Sequence, residues 1–318
     1  MAMCKVQFQA GMSLTQFHDL YGTEEQCEAA IQAQRWPKGF ACPACNGKTY
    51  RQFRRGGLLY FHCNDCNRQS SLIANTLFAS TKIKLKQWFQ AIYKLSQSKN
   101  NVAALELKRD LGVCYRTAWR VKHKLMNAMA QQESARVLSG HIQLDDAYLG
   151  GEYIGGKPGR GSPNKQAFVI AVSTLDGRPQ HLVMKTVSGF NKAEVGEFLK
   201  NHVAPGSEAF SDGLPAFAVA ETQEIAHSVF VAPNSRLSAK NPQMKWVNTV
   251  LSNVKRSIDG TYHAIKVKKY GQQYLYEASW RFNRRWNLAS LPARLLRHAL
   301  QSNPRPEYVL RNPAEFPC

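Results

Sequence analysis

The sequence predicts an α/β chain: a mixed sheet with helices beside it, preceded by a compact cysteine module and a basic helical module. Three observations predict it. Two Cys-x-x-Cys pairs stand close together near the start. Apolar residues then recur three and four apart from Lys82 to about Met126, which is helical periodicity. From His141 the pattern changes to short β-type runs followed by alternating helical and extended stretches, the texture of a mixed sheet with flanking helices. The hairpin that opens this last region argues against a purely doubly wound nucleotide-binding fold.

The bulk numbers fit that organisation. The chain has 318 residues, 44% of them hydrophobic, which gives room for two domains and a small third module. Lys and Arg number 42 against 22 acids, a net charge of +20. That excludes an acidic disordered chain, makes a small-metabolite enzyme a weaker reading and points to a polyanion, nucleic acid first. No apolar run is long enough for a membrane span, and MAMCKVQFQAGMSL lacks the pattern of a secretory signal. The expectation is a chain without membrane partners, in the cytoplasm and associated with the nucleoid.

Residues 1–35 read as a helical lead-in, with Thr23 placed to cap a helix before Glu24 and Glu25. Residues 36–78 hold Cys42-Pro-Ala-Cys45 and Cys63-Asn-Asp-Cys66. Four soft thiolates on two knuckles suit a closed structural Zn²⁺ site, and the residues between them suit a hairpin carrying Arg51, Arg54 and Arg55. A redox pair is the alternative; His62 reads as a bystander. The other four cysteines, at 4, 27, 114 and 318, have no assigned task.

Residues 79–132 read as helices, of which Asn101–Leu111 and Tyr115–Met126 are joined by Gly112-Val113-Cys114. This has the outline of a helix-turn-helix, with Arg116 and Arg120 on one face as candidate DNA-binding residues. A three-helix spacer with a solvated basic side remains open.

Residues 138–300 form the predicted sheet domain, and 301–318 a tail with little signal. HIQLDDAYLGG leads into the loop GEYIGGKPGRGSPNK, and two β runs, AFVIAVST and HLVMKTV, follow. The GGKPGRG part lacks the spacing of an ATP loop. NKAEVGEFLKNHV reads as a helix, EAFSD and AHSVFV as short strands, KWVNTVLSNVKRSI as a helix, and 272–300 as one long basic helical stretch. Asp145 and Asp146 sit on opposite faces of one strand, and Asp212 ends another. Two carboxylates from separate strands are suited to holding Mg²⁺ against a phosphate, although surface aspartates are as common. Asn248 and Lys255 lie seven apart, on one side of their helix, and Asn248 is equally a candidate helix cap. Between 241 and 300 stand eleven Lys or Arg against two acids. Arg281, Arg284 and Arg285 among them are expected to pack their stems on the sheet and offer guanidiniums to phosphate. Glu277, one turn before Arg281, reads more simply as its ion-pair partner than as a metal ligand, and His263 as uncertain support for the site.

Three stretches resemble transposases of the IS1595 insertion-sequence family, the group with ISXO2-like catalytic domains. They are CPAC…CNDC with Ser70, Asn75-Thr76-Leu77-Phe78 and Trp88; LDDAYLGGEYIGG with SDGL; and NTVLSNVKRSIDGTYHAIKVKKYGQQYLYEASWRFNRRWN. They span about residues 20 to 290, and G-T-Y-H, Y-L-x-E and R-F-N-R-R are the most specific. The resemblance implies a ribonuclease-H-like (retroviral-integrase-like) catalytic domain that cuts double-stranded DNA at terminal inverted repeats and joins the freed 3′-hydroxyl to target DNA. It implies Mg²⁺ or Mn²⁺ at the active site, structural Zn²⁺ in the ribbon, and a dimer or larger assembly on DNA. Asp145 matches the family's first acid, Asp212 the second, and Asn248 with Lys255 the last pair. The family's Asp-Glu pair is Asp145-Asp146 here, which shortens the second side chain by one methylene. Two other readings stay open: a DNA-binding regulator with an inactive catalytic domain, and a metal-dependent nuclease without strand transfer.

Overall fold

The computed structural model describes residues 9–150, 164–231, 241–262 and 265–313. The GGKPGRG loop, His263, Cys4 and Cys318 lie outside the described residues. The chain forms two compact units, Met1–Ala128 with Trp286–Arg311, and Met129–Arg285 with Asn312–Cys318.

In the first unit the predicted lead-in is two helices, α1 (Leu14–Tyr21) and α2 (Glu24–Arg35). They break at Gly22-Thr23 because Thr23 is extended and caps α2: its hydroxyl accepts from the Gln26 N–H while the Gln26 side chain accepts from the Thr23 N–H. An antiparallel ribbon follows, β1 (Tyr50–Arg55), β2 (Leu58–Cys63) and β3 (Gln69–Ser71), in that order. Its small core is aromatic: Phe61 is fully buried against Trp36, Phe40 and Tyr50. Arg54, expected only to lie near the cysteines, pairs with Glu28 of α2 at 2.6 Å.

Three helices complete this run, α3 (Leu85–Gln97), α4 (Ala104–Leu111) and α5 (Tyr115–Glu133). Gly112 adopts φ 62° and returns its N–H to the last carbonyls of α4, which turns the chain into α5. Two helices joined by a three-residue turn are therefore present, with α5 running seven residues past its expected end at Met126.

The second unit is a five-stranded sheet. Its strands are β4 (His141–Leu149), β5 (Gln166–Leu175), β6 (Arg178–Thr186), β7 (Glu208–Ser211) and β8 (Ala226–Val229), arranged β6-β5-β4-β7-β8. β4, β5 and β6 pair antiparallel, whereas β7 is parallel to β4 and β8 parallel to β7. A three-stranded meander extended by two parallel strands on the β4 side is the ribonuclease-H-like arrangement. Helix α6 (Lys192–His202) connects β6 to β7. Strand alternation builds two cores. Ile142, Leu144, Val169 and Ala171 face α6 and the 3₁₀ turn Pro215–Gln223. Ala147, Leu149, Phe168 and Ile170 face α7 (Lys245–Thr261) and α8 (Val267–Asn283).

The C-terminal part departs from the sequence expectation. The single helix expected over 272–300 is interrupted: α8 stops at Asn283, and α9 (Leu291–Gln301) starts after a short 3₁₀ turn. The domain boundary moves with it. Trp286–Arg311 belongs to the first unit, not to a 138–300 catalytic domain, because α9 buries Leu291, Leu295, Leu296 and Ala299 against α2 and α3. The expected tail contains a further short helix, α10 (Glu307–Arg311).

Arg281, Arg284 and Arg285 also differ from expectation: Arg281 is buried, and the fold uses the donors of Arg284 and Arg285. Arg284 pairs with Glu133, whose side chain is only 2% exposed. Glu133 also takes Arg136 at 2.8 Å and the Asn283 amide at 2.6 Å, and Asn283 bonds both the N–H and the carbonyl of Leu182. Burial pushes the Glu133 carboxyl up, but the two arginines outweigh it and hold it below the ordinary value. Arg285 donates to the carbonyls of Pro179, Gln180 and Phe282, and burial lowers its pKa to about 10. Burial likewise depresses Arg281 against the nearby charge of Glu277. The R-F-N-R-R motif is therefore a lock between α8, β6 and the end of α5. Glu133→Gln removes a charge shared by two arginines, and urea unfolding is expected to show a loss of about 3 kcal/mol.

Candidate functional site

The parallel β4–β7 ladder assembles an acidic cluster. His141, Ile142 and Gln143 pair with Glu208, Ala209 and Phe210. Two residues further along each strand stand Asp145 and Asp212. Their alternation is matched: Asp145 shares the face of Ala147 and Leu149, and Asp212 shares that of Phe210, which packs on the α7–α8 core. Asp146 takes the other parity, with Leu144 and Tyr148. Carboxylate oxygens of Asp145, Asp146 and Asp212 nonetheless lie within 4.8 Å of one another. Gly213 turns the chain immediately after Asp212 at φ 92°, where an added Cβ would meet Val231 at 2.9 Å. The Leu214 N–H donates back to Asp212 at 3.3 Å.

The charges bear hardest on Asp145. Burial first, then the charge of Asp212, pushes its pKa up to about 7; Asp146 adds to the rise. The Asp146 N–H, at 2.8 Å, and the charge of Lys255 act in the opposite sense. A divalent cation among these oxygens would relieve the repulsion, so the donor set fits hard, oxygen-preferring Mg²⁺ or Mn²⁺.

Helix α7 brings the other two candidates to this side of the sheet. Val247, Val250, Leu251, Val254 and Ile258 bury its apolar stripe, and the helix packs on β4 and β5. Asn248 is not the cap; Met244 holds that position. The Asn248 amide nitrogen donates to the Met244 carbonyl at 2.9 Å, which leaves its oxygen to accept. Sequence reading missed the residue that seats this helix. Gln143, two positions before Asp145, accepts from the N–H groups of Trp246 and Val247, both at 2.9 Å, and donates to Pro242 at 3.1 Å. A side chain from β4 thus does the work of an N-cap. Its signal was a polar residue at a buried strand position. Glu277, the rival acid, lies outside the aspartate cluster; it is fully buried and accepts from the Tyr262 hydroxyl at 3.1 Å.

A second metal-suited group lies in the first unit. The sulfurs of Cys42, Cys45, Cys63 and Cys66 lie within 4.8 Å of one another, with the Cys42–Cys66 and Cys45–Cys63 pairs at 3.6 Å. A tetrahedral zinc with Zn–S of about 2.3 Å needs sulfurs about 3.8 Å apart, so the four fit a closed Zn²⁺ site. Asn46 and Asn67 adopt φ of 58° and 57° after their knuckles. The N–H groups of Ala44 and Gly47 donate to Cys42 and Cys45, and the Ala44 bond leads the effects that lower Cys42 to about 6. His62 stands outside the group, beside Gln69.

The two helix-turn-helix arginines meet an acid that sequence reading did not foresee. Glu307 of α10 takes Arg116 at 2.9 Å, Arg311 at 2.8 Å and, more distantly, Arg120 at 3.7 Å. The Arg116 side chain is still 70% exposed.

Two transposase family models match the regions that hold these two groups. Residues 137–283 match the ISXO2-like transposase domain, and residues 22–69 the transposase zinc-ribbon domain. An uncharacterized protein in transposable element ISH50 of Halobacterium salinarum is 27% identical over 132 residues, 39% of this chain. The chain spans 42% of the length of that curated relative. Among solved structures, the Mos1 transposase paired-end complex with left transposon end aligns at 12% identity over 62% of this chain and 75% of that one, with a TM-score of 0.23. A pre-cleavage Mos1 transpososome aligns at 11% identity over 69% and 79%, with a TM-score of 0.25. Strand order, and not these superpositions, carries the fold.

Two outcomes are expected. Asp145 has a raised folded pKa, so between 3.8 and about 7 the folded chain holds more proton than the unfolded one. Without metal, stability therefore falls as pH rises through that window, and Asp145→Asn flattens the fall in a melting-temperature series. Added Mn²⁺ raises the melting temperature more above pH 7 than below it, and the variant loses that gain. Separately, a strong zinc chelator is expected to unfold the ribbon, with loss of near-ultraviolet circular dichroism from the Phe61 cluster.

Proposed function

The chain belongs to the IS1595 family of transposases, and from that premise we propose that it cuts DNA at the inverted-repeat ends of a mobile element and joins them to target DNA. The observation that carries this reading is the convergence of Asp145, in the middle of β4, and Asp212, just past the end of the parallel strand β7, within reach of the charge of Lys255. A centre that is only structural would not need to hold like charges together beside a lysine.

Asp145 and Asp212 would hold the catalytic divalent ions, with the Asn248 oxygen as a neutral donor. Bound Mg²⁺ or Mn²⁺ supplies activation of the attacking water or 3′-hydroxyl and neutralises charge on the leaving oxygen. Lys255 places a positive charge beside the scissile phosphate. Gln143 keeps α7 seated on β4, so that Asn248 and Lys255 stay in place relative to the aspartates. With Asn248 in place of a third carboxylate at that position, the centre carries one negative charge fewer against the DNA backbone. The four cysteines would hold Zn²⁺ and keep the ribbon folded, and helix α5 would face duplex DNA. On this reading the protein works on nucleoid DNA in the cytoplasm, as a dimer or larger assembly that pairs two ends. Among the described residues no helix is long and apolar enough to cross a membrane.

The test uses duplexes carrying the inverted repeats that flank the coding sequence, with Mg²⁺ and a supercoiled target. Joined product is expected from the natural chain. Asp145→Asn and Asp212→Asn are expected to lose cleavage by at least about a thousandfold while retaining end binding in a mobility-shift assay. Hydrolysis without joining would make the protein a nuclease, and binding alone a regulator. Loss of binding together with cutting in folded variants would remove the assigned roles.

A further inference from the structure

A cavity of about 310 Å³ lies within the first unit, between the turn Ser80–Ile83 and the first half of α5. Its chemistry is one-sided. Lys82, Arg120 and Lys124 line it together with the hydroxyl-bearing Ser80, Thr81 and Thr117, and no carboxylate is among its lining residues. Trp88, Ile83 and Val121 supply the apolar part of the wall.

The wall is held in place. The Thr81 hydroxyl accepts from the Trp88 indole N–H at 2.9 Å and the Ile83 N–H at 3.3 Å and donates to the Ile83 carbonyl at 3.3 Å, so it fixes the wall. Ser80 adopts φ 58°, so a left-handed residue forms this tight turn. Lys124 comes up from α5, gives one donor to the Leu77 carbonyl at 3.1 Å, and lies 5.8 Å from the centre of the Trp88 ring. A lysine has three donors, so two remain beyond that bond. Burial first, and Arg120 second, lower its pKa to about 8. Such a group gains most from an anion, which offsets both causes at once. Arg120 approaches Glu307 only at 3.7 Å, a contact that leaves most of its fork unused.

We propose that this cavity is a binding site for a phosphate group, held by Lys82, Arg120 and Lys124 with the Ser80 hydroxyl as a further donor. A tetrahedral, doubly or singly charged oxyanion suits three cationic side chains and a hydroxyl around one cavity better than a planar carboxylate does, because the donors approach from several directions. The site does not depend on the acidic centre of the second unit. Its phosphate has two possible sources, a DNA backbone crossing α5 or a free phosphate, and the backbone source alone rests on the proposed action on DNA.

The test reads acylation of Lys124 in the full, zinc-loaded chain by peptide mass spectrometry, with inorganic phosphate, with chloride at equal ionic strength, and with a duplex of arbitrary sequence. Phosphate is expected to slow acylation of Lys124 several-fold where chloride does not, and Lys82→Gln, a change at an exposed position, is expected to weaken that protection. Protection by the duplex as well, with Lys82→Gln and Lys124→Gln each reducing the salt slope of DNA binding by about one, assigns the phosphate to the DNA backbone. Protection by inorganic phosphate alone assigns a free phosphate. Equal acylation in phosphate, chloride and duplex overturns the site, and intact DNA binding in that same experiment would leave the proposed action on DNA standing. Lys82→Gln also serves as the control for folding, should Lys124→Gln prove unstable.

Discussion

The catalytic unit is organised around a repulsion. Its sheet brings three carboxylates within 4.8 Å of one another through the backbone pairing of two parallel strands. A short parallel ladder aligns β4 with β7, and the two strands then part where Asp145 and Asp212 stand. The energetic cost falls on Asp145, whose proton is held to about pH 7 by burial and by its neighbours. Such an arrangement persists only because the surrounding structure enforces it, and a divalent cation turns the same repulsion into a binding energy.

The enforcement comes from both faces. On one, Ile142, Leu144 and Ala209 anchor β4 and β7 in the core beneath α6. On the other, α7 buries its apolar stripe while Gln143 holds its first turn by two N–H groups. The conspicuous C-terminal motif belongs to this scaffold. Asn283 and Arg284 converge on buried Glu133, and Arg285 ties the end of α8 to the strand carrying Pro179 and Gln180. Arginine suits that task because its fixed fork satisfies several carbonyls from one position.

Much of this was legible in the sequence. The thiolate spacing, the change from helical to strand periodicity and the positions of Asp145 and Asp212 follow from local pattern, which the fold preserves. Strand parity puts Asp145 on the face of α7 and Asp146 on the other, although the carboxylates of both reach the same cluster. What was not legible depends on contacts between distant residues. A basic run such as 281–285 reads as a DNA surface until Glu133, some 150 positions earlier, is seen to meet it. Gln143 reads as an ordinary strand residue until the helix a hundred positions later docks on it. Leu291–Gln301 looks continuous with α8 because amphipathic periodicity does not reveal which core a helix joins. Glu307 has one partner on its own helix, Arg311, but its meeting with Arg116 and Arg120 carried no signal because they lie on α5.

The net charge of +20 is accordingly not one surface. Part of it is paired with Glu28, Glu133 and Glu307, of which only the Glu133 pair is buried, and part stands at the cavity beside α5. The account rests on the acidic centre holding a divalent metal. Electron paramagnetic resonance of Mn²⁺ titrated into the zinc-loaded chain above pH 7 measures that directly. Stoichiometric Mn²⁺ binding is predicted for the natural chain, lost in both Asp145→Asn and Asp212→Asn with the zinc content unchanged; binding that survives in both variants would contradict it.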